Sequence, residues 1–279
     1  MHELRIDNRR VAFHDSGTGD PVLLLHPGFV AEAMVPLIGR PALAGYRLVA
    51  PHRRGYAGSD PAAGPAGMAE LAGDVVDLLD ALDIPRAHLV GHSFGACVAL
   101  EVARRTPERV GRLALLEPPL GFALSEAALA VLLATAGAAM PRFASGDHAG
   151  AVATWLDGAF GPGWQAALER ALPGAVAQAT QDAPAAFGSE VPALQAWQFG
   201  PADLATLGVP MLSVAHDAAW PGFMEVHRAL VAAGAAPALV PVQSHLLQVL
   251  DPDAVAGPIA AFLGASRAEG ATPAAVGAP

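Results

Sequence analysis

Five consecutive residues, Gly91-His92-Ser93-Phe94-Gly95, constrain this chain more than any other stretch. They form a Gly-x-Ser-x-Gly pentapeptide between an apolar, strand-like run at 87–91 and a helix-like run at 94–105. A serine in that context predicts a tight, strained turn from strand to helix, with the hydroxyl exposed at the carboxyl end of a sheet. Gly91 and Gly95 let the backbone close up around it. The first amides of the following helix point at the same place and favour negative charge there.

The flanking sequence alternates in the same way. Residues 22–26, 46–50, 87–91, 112–117, 210–215 and 238–242 read as strands, and 68–82, 94–105, 221–233 and 252–263 as helices. Leu71, Val75, Leu78, Leu79 and Leu82 keep helical spacing. Continuous apolar strands separated by helices imply an α/β architecture with a parallel sheet covered on both faces. The alternation breaks between 119 and 204, an Ala-rich, helical stretch that holds Trp155, Trp164 and Trp197. That placement predicts a helical lid, because ligands in such sheets bind beyond the carboxyl ends of the strands. The expected division is therefore a core of 1–118 and 205–264, a cap of 119–204 and a flexible tail of 265–279.

Composition narrows the class. Hydrophobic residues make up 53% of 279, ample for a large core. No apolar run reaches bilayer length free of Pro, Gly or charge, and Met1–Arg10 lacks the apolar stretch of a secretory signal. The expectation is a cytoplasmic protein with no membrane association. A net charge of −10 argues against a nucleic-acid surface. Cys97 is the single cysteine, so no internal disulfide can form, and its place in the helix suits a small core residue.

A serine hydroxyl needs a base. Among ten histidines, His245 follows the last strand-like run and precedes the final helix, which puts it at the same sheet edge as Ser93. His92 is unsuited, since successive residues of the turn point apart. An acid must hold the imidazole in its reactive tautomer. Asp217, just past the strand at 210–215, and Glu117, ending the strand at 112–116, compete; Asp217 is preferred by a narrow margin. The oxyanion needs two donors. One is the amide of Phe94; the other comes from Gly28 or Phe29, since Pro27 has no N–H. His26 reads as a brace for that loop. Arg53, in the Gly-rich loop after the strand at 46–50, reads as a loop hydrogen-bonder before it reads as a ligand for a substrate carboxylate. No metal motif and no nucleotide-binding glycine motif occurs, so neither metal nor cofactor is expected.

Taken together, Leu25-His26-Pro27-Gly28-Phe29, Arg53-Arg54-Gly55-Tyr56-Ala57-Gly58-Ser59, the pentapeptide, Glu117-Pro118 and Ser244-His245-Leu246 resemble the α/β-hydrolase fold family across residues 10–264. The resemblance implies a mostly parallel eight-stranded sheet flanked by helices, a helical cap after the sixth strand and cofactor-free chemistry. Departures from the family pattern are His26-Pro27 for His-Gly, His52 for the Asp of Asp-x-Arg-Gly, and Ala215-His216-Asp217 for Gly-x-x-Asp. The last weakens Asp217 as the acid; related dehalogenases carry theirs where Glu117 stands. Those enzymes and epoxide hydrolases use an Asp nucleophile, and Ser93 argues against both activities. The expected function is hydrolysis of a small or medium apolar ester, thioester or lactone through an acyl-enzyme. The alternatives are C–C bond hydrolysis, hydroxynitrile cleavage or a biosynthetic cyclisation by the same residues, and a non-catalytic ligand-binding protein. The partner expected is a small-molecule substrate, with the chain a monomer or homodimer.

Overall fold

The computed structural model describes residues 1–61, 64–216 and 220–270, with side chains to residue 264. Eight strands form one sheet: β1 (His2–Ile6), β2 (Arg9–Ser16), β3 (Asp20–Leu25), β4 (Tyr46–Pro51), β5 (Ala87–His92), β6 (Val110–Leu116), β7 (Met211–Ala215) and β8 (Ala236–Leu239). Their spatial order is β1-β2-β4-β3-β5-β6-β7-β8. The pairings from β4 through β8 are parallel, and β1 and β2 add an antiparallel edge. The family's mostly parallel eight-stranded sheet is therefore present.

The sheet is buried on both faces, and the pleat explains how. Along β3, Leu23 and Leu25 face one way, into a core shared with α1 (Met68–Ala81) and α2 (Phe94–Arg105). Val22 and Leu24 face the other, against Leu37, Leu43 and the Val255, Ile259 and Leu263 stripe of the C-terminal helix. Period-2 alternation along the apolar run at 22–25 yields this two-sided burial.

Between β6 and β7 the chain makes a helical insert: α3 (Glu126–Ala144), α4 (His148–Phe160), α5 (Trp164–Ala171), α6 (Ala175–Gln181), α7 (Ala183–Ala185), a single π-turn at Ala186–Glu190, α8 (Val191–Ala196) and α9 (Pro201–Thr206). Its own apolar residues, among them Leu156, Phe160, Trp164 and Phe187, pack in one cluster with Phe29, Val30, Tyr56 and Leu246. The insert is thus seated on the loops that follow β3 and β4 and on the segment around His245. Helix α3, with mean hydropathy 1.5, is long and apolar enough to cross a membrane by length and composition, although Gly137, Pro141 and the charges of Glu126 and Arg142 fall inside it. It packs against α4.

After β7 come α10 (Pro221–Ala232), α11 (Leu247–Leu250) and α12 (Pro252–Gly270). Helix α12 runs past the expected core end at 264, so the tail expected from 265 is helical as far as Gly270. The last residues of the chain, 271–279, lie outside the described residues.

Candidate active site

Ser93 sits between the last residue of β5 and the first of α2, with φ 51° and ψ −120°. Left-handed φ is costly for a residue with a Cβ, on the order of 1–3 kcal/mol, and persists only where the surroundings enforce it. Both glycines of the pentapeptide show the enforcement. A Cβ on Gly91 would lie 2.5 Å from Ala96 Cα, and one on Gly95 would lie 2.3 Å from the carbonyl oxygen of Leu25 and 2.4 Å from that of His26. The turn is wedged against the end of β3, where the Gly28 loop begins. Those neighbours are backbone and cannot yield. Gly95→Ala is therefore expected to destabilise the fold by about 1–3 kcal/mol, as overpacked sites do, visible as a lowered midpoint in thermal denaturation; an unchanged midpoint would contradict the wedge.

Strain recurs nearby. Phe29 (φ 69°) and Glu117 (φ 47°) also adopt left-handed backbone, and such residues concentrate at functional sites. All three belong to loops at the carboxyl ends of β3, β5 and β6.

His245 is buried, and its Nδ1–H donates to Glu117 Oε2 at 2.6 Å. That proton leaves Nε2 as the basic atom of the ring. Phe223 of α10 stacks on the imidazole with centroids 4.2 Å apart and planes 12° from parallel. His92 lies on another side, 4.5 Å away by centroid. Its Nδ1 accepts a hydrogen bond from Gln248 Nε2 at 2.9 Å, and burial, aided by the neighbouring His245, lowers its pKa well below the ordinary imidazole value. His92 is thus a neutral neighbour of the candidate base.

Glu117 receives two further donors, the backbone N–H of His216 at 3.0 Å and the Nδ1–H of the same residue. Burial alone raises a carboxyl pKa, but the donors from His216 and His245 outweigh it and hold Glu117 below the usual glutamate range. Glu117 is in contact with the imidazole; Asp217 lies outside the described residues.

Ser93 and His245 line one cavity of about 400 Å³, which Gly28, Phe29 and Phe94 also line. No hydrogen bond joins the Ser93 hydroxyl to His245 among the described residues; such contacts often tighten only once substrate is bound. Most of the remaining wall is apolar, from Leu156, Phe160, Val191, Trp197 and Phe199 of the insert and from Phe223, with Thr135, Gln195 and Glu190 as polar members. Among the described residues its lining includes the acid Glu190 and no Arg or Lys.

The oxyanion candidates separate. The Phe29 N–H is directed to Tyr56 Oη at 3.3 Å, whereas the Gly28 N–H has no protein acceptor among the described residues. Phe94, as the first residue of α2, has a backbone N–H that the helix itself cannot satisfy. Gly28 and Phe94 are the two available donors.

Arg53 does not face the cavity. Its guanidinium donates from Nε to Glu190 Oε1 at 2.7 Å, from Nη2 to the Pro27 carbonyl at 3.0 Å and from Nη1 to the His26 carbonyl. His26 braces the same loop, its Nδ1 donating to the Pro27 carbonyl at 2.7 Å while Nε2 accepts from the Arg53 backbone N–H. His216, Phe223, Tyr56 and Glu190 were not singled out from sequence. Nothing in their local sequence marks them, since their partners lie far along the chain.

Two trios could be asked to hold a metal, His92–Glu117–His245 and His14–Glu32–His52. In the first, Glu117 is saturated by histidine and backbone protons. In the second, His52 Nε2 and His14 Nε2 meet Glu32 at 2.8 and 3.0 Å, and the Gly58 N–H faces His52 Nδ1 at 3.4 Å. That places the His52 proton on Nε2, toward Glu32. A metal-bound histidine needs the reverse, a bare coordinating nitrogen with the other donating outward.

A family model described as the alpha/beta hydrolase fold matches residues 21–192. The chain is 40% identical over 111 residues to the 2-hydroxymuconate semialdehyde hydrolase of Pseudomonas sp. (strain CF600), an alignment covering 38% of this chain and 39% of that protein. It is 35% identical over 127 residues to the 2-hydroxy-6-oxo-6-phenylhexa-2,4-dienoate hydrolase of Burkholderia cepacia, covering 42% and 43%. The alignments thus span about two-fifths of these curated relatives. The crystal structure of a hydrolase from Pseudomonas aeruginosa PA01 superposes with a TM-score of 0.69 at 26% identity, covering 94% of this chain and 98% of that one.

Proposed function

Because this chain belongs to the α/β-hydrolase fold family, we propose that it is a cofactor-independent serine hydrolase acting on an uncharged, apolar ester, thioester or lactone. The observation that carries this reading is the shared cavity: Ser93 and His245 open onto it together, with Glu117 on the far side of the imidazole.

In this reading His245 Nε2 takes the Ser93 proton as the hydroxyl oxygen attacks the substrate carbonyl. The resulting oxyanion is met by the amides of Gly28 and Phe94, which need no reorganisation. Glu117 stabilises the imidazolium while it lasts. His245 then protonates the leaving group, and the acyl-enzyme forms. A water deprotonated by the same nitrogen attacks the ester, and collapse returns Ser93. The insert acts as a cap whose apolar wall accepts the acyl or aromatic part of the substrate.

The second reading is hydrolysis of a C–C bond by the same residues. It draws on the relatives, one of which is named for a dienoate. A dienoate is an anion, and among the described residues no Arg or Lys lines the cavity, while Glu190 there is already paired with Arg53. That balance favours the uncharged substrate. The test is a panel of 4-nitrophenyl esters of graded acyl length beside a phenylhexadienoate substrate, with products identified. Turnover of medium-chain neutral esters at least tenfold above the anion, as the loss of an ionic partner at a buried site would give, supports the ester reading; preferential cleavage of the dienoate would replace it with the second.

A further inference from the structure

The Gly28 amide is useful only if its peptide plane faces the right way. The Pro27–Gly28 peptide is trans, so its carbonyl and its N–H point in opposite directions. Glycine leaves φ free at Gly28, so the backbone itself does not forbid that plane from turning over. A turned peptide would present a carbonyl oxygen to the developing oxyanion, a repulsion in place of a donor.

The carbonyl side of this peptide is held. Pro27 O accepts from His26 Nδ1 at 2.7 Å and from Arg53 Nη2 at 3.0 Å, and Arg53 Nη1 also takes the preceding carbonyl, that of His26. Arg53 is in turn fixed by Glu190, at 2.7 Å, and both side chains are buried. Glu190 belongs to the π-turn of the insert, 137 residues away from Arg53 in sequence. Its second oxygen accepts from Tyr56 Oη at 2.6 Å, and Tyr56 Oη accepts the Phe29 N–H. One carboxylate from the insert therefore anchors two lines into the loop that carries Gly28.

Resting on the serine-hydrolase reading above, we propose that Arg53 and Glu190 are positioning residues that lock the Pro27–Gly28 peptide with its N–H toward Ser93, so that the oxyanion hole is complete only when the insert is docked. Neither side chain touches the reacting atoms. The pair converts seating of the insert into the presence of one hydrogen-bond donor. It also explains why an ion pair stands buried beside an apolar cavity, where replacement by apolar residues would otherwise be tolerated.

Three variants test this: Arg53→Met, Glu190→Gln, which keeps shape and removes charge, and the conservative Arg53→Lys. The probes are 4-nitrophenyl butyrate and an alkyl trifluoromethyl ketone, which forms a tetrahedral adduct with an active serine. Losing an oxyanion donor lowers kcat on the order of 10²-fold to 10³-fold, and a donor merely released from its lock loses less, about 10-fold to 100-fold. The expected result for Arg53→Met and Glu190→Gln is that loss in kcat, with KM little changed and ketone affinity falling in step with kcat. Arg53→Lys, which can reach one carbonyl but not two, is expected between wild type and Arg53→Met.

Folded variants with wild-type kcat, or losses confined to KM, would overturn the proposal. Should Arg53→Met fail to fold, Glu190→Gln decides alone, by the same split between kcat and KM. A wild-type protein inert to both probes would instead remove the parent reading, an outcome recognisable because no variant is needed to see it.

Discussion

Ser93→Ala is expected to lower kcat by about 10⁴-fold or more, the scale on which loss of a catalytic serine acts, while leaving the fold intact. Alanine keeps the Cβ, so the backbone at φ 51° is no more strained than before. The cysteine cannot take over as nucleophile. Cys97 stands one turn into α2 but is fully buried, and burial pushes its thiol well above the ordinary range. Residual hydrolysis would reflect the Gly28 and Phe94 donors alone. The measurement is steady-state hydrolysis of the best ester, paired with phosphonate labelling followed by intact mass. Wild type should gain one adduct and the variant none. A variant that retains the wild-type rate would remove Ser93 from the chemistry and leave the cavity as a binding site.

Glu117→Gln is expected to reduce kcat by about 10³- to 10⁴-fold, as when a triad acid becomes an amide and favours the wrong imidazole tautomer, whereas Asp217→Asn should keep most of the wild-type rate. The pair of variants addresses the choice that sequence left open. The reverse outcome would return the role to Asp217. The same substitution carries a signature in stability. Glu117 has a folded pKa below its ordinary value, so it binds fewer protons in the folded chain than in the unfolded one. Its contribution is therefore fully present above the usual glutamate range and is lost as pH falls through the lower folded value. In urea titrations, the stability gap between wild type and Glu117→Gln should be constant at neutral pH and shrink on acidification below that range. A gap independent of pH would mean that the two histidine donors do not hold the carboxylate as described.

What could be read from the chain beforehand follows physical range. The pentapeptide and the limits of α2 are local: small residues, a strand pattern and a helix pattern lie within twenty positions, and the helix predicted at 94–105 is found at Phe94–Arg105. The helix expected at 68–82 likewise ends within one residue of the observed Ala81. The N-terminal hairpin escaped because β1 and β2 sit at the sheet edge and carry charges outward, as at Arg5, Arg9 and Arg10. Asp7 and Asn8, both at positive φ, were the available sign, a two-residue turn suited to a hairpin. The strand expected at 238–242 lies at Ala236–Leu239, an exposed edge where apolar pattern is a poor guide.

The site divides in the same way. Ser93 and His245 were legible from motif and chain order, as were both candidate acids. The contact between Glu117 and the base was not, because it depends on which strand end reaches an imidazole 128 residues further on. Narrowing Gly28 against Phe29 required seeing that Tyr56 occupies one of the two amides. Arg53 was rightly read first as a loop hydrogen-bonder, yet its partner Glu190 comes from the far end of the insert and leaves no trace near Arg53 in sequence.

The position of Glu117 has a mechanical consequence. The Ser93 N–H bonds to the Leu116 carbonyl at 2.8 Å, so hydroxyl and carboxylate ride on adjoining central strands, joined by the backbone ladder of β5 and β6. Their spacing is set by the stiffest part of the molecule. The imidazole arrives six residues past the end of β8, which makes it the slackest joint of the assembly, and heat that loosens the periphery should disarm the protein through His245 while the other two groups still hold their places.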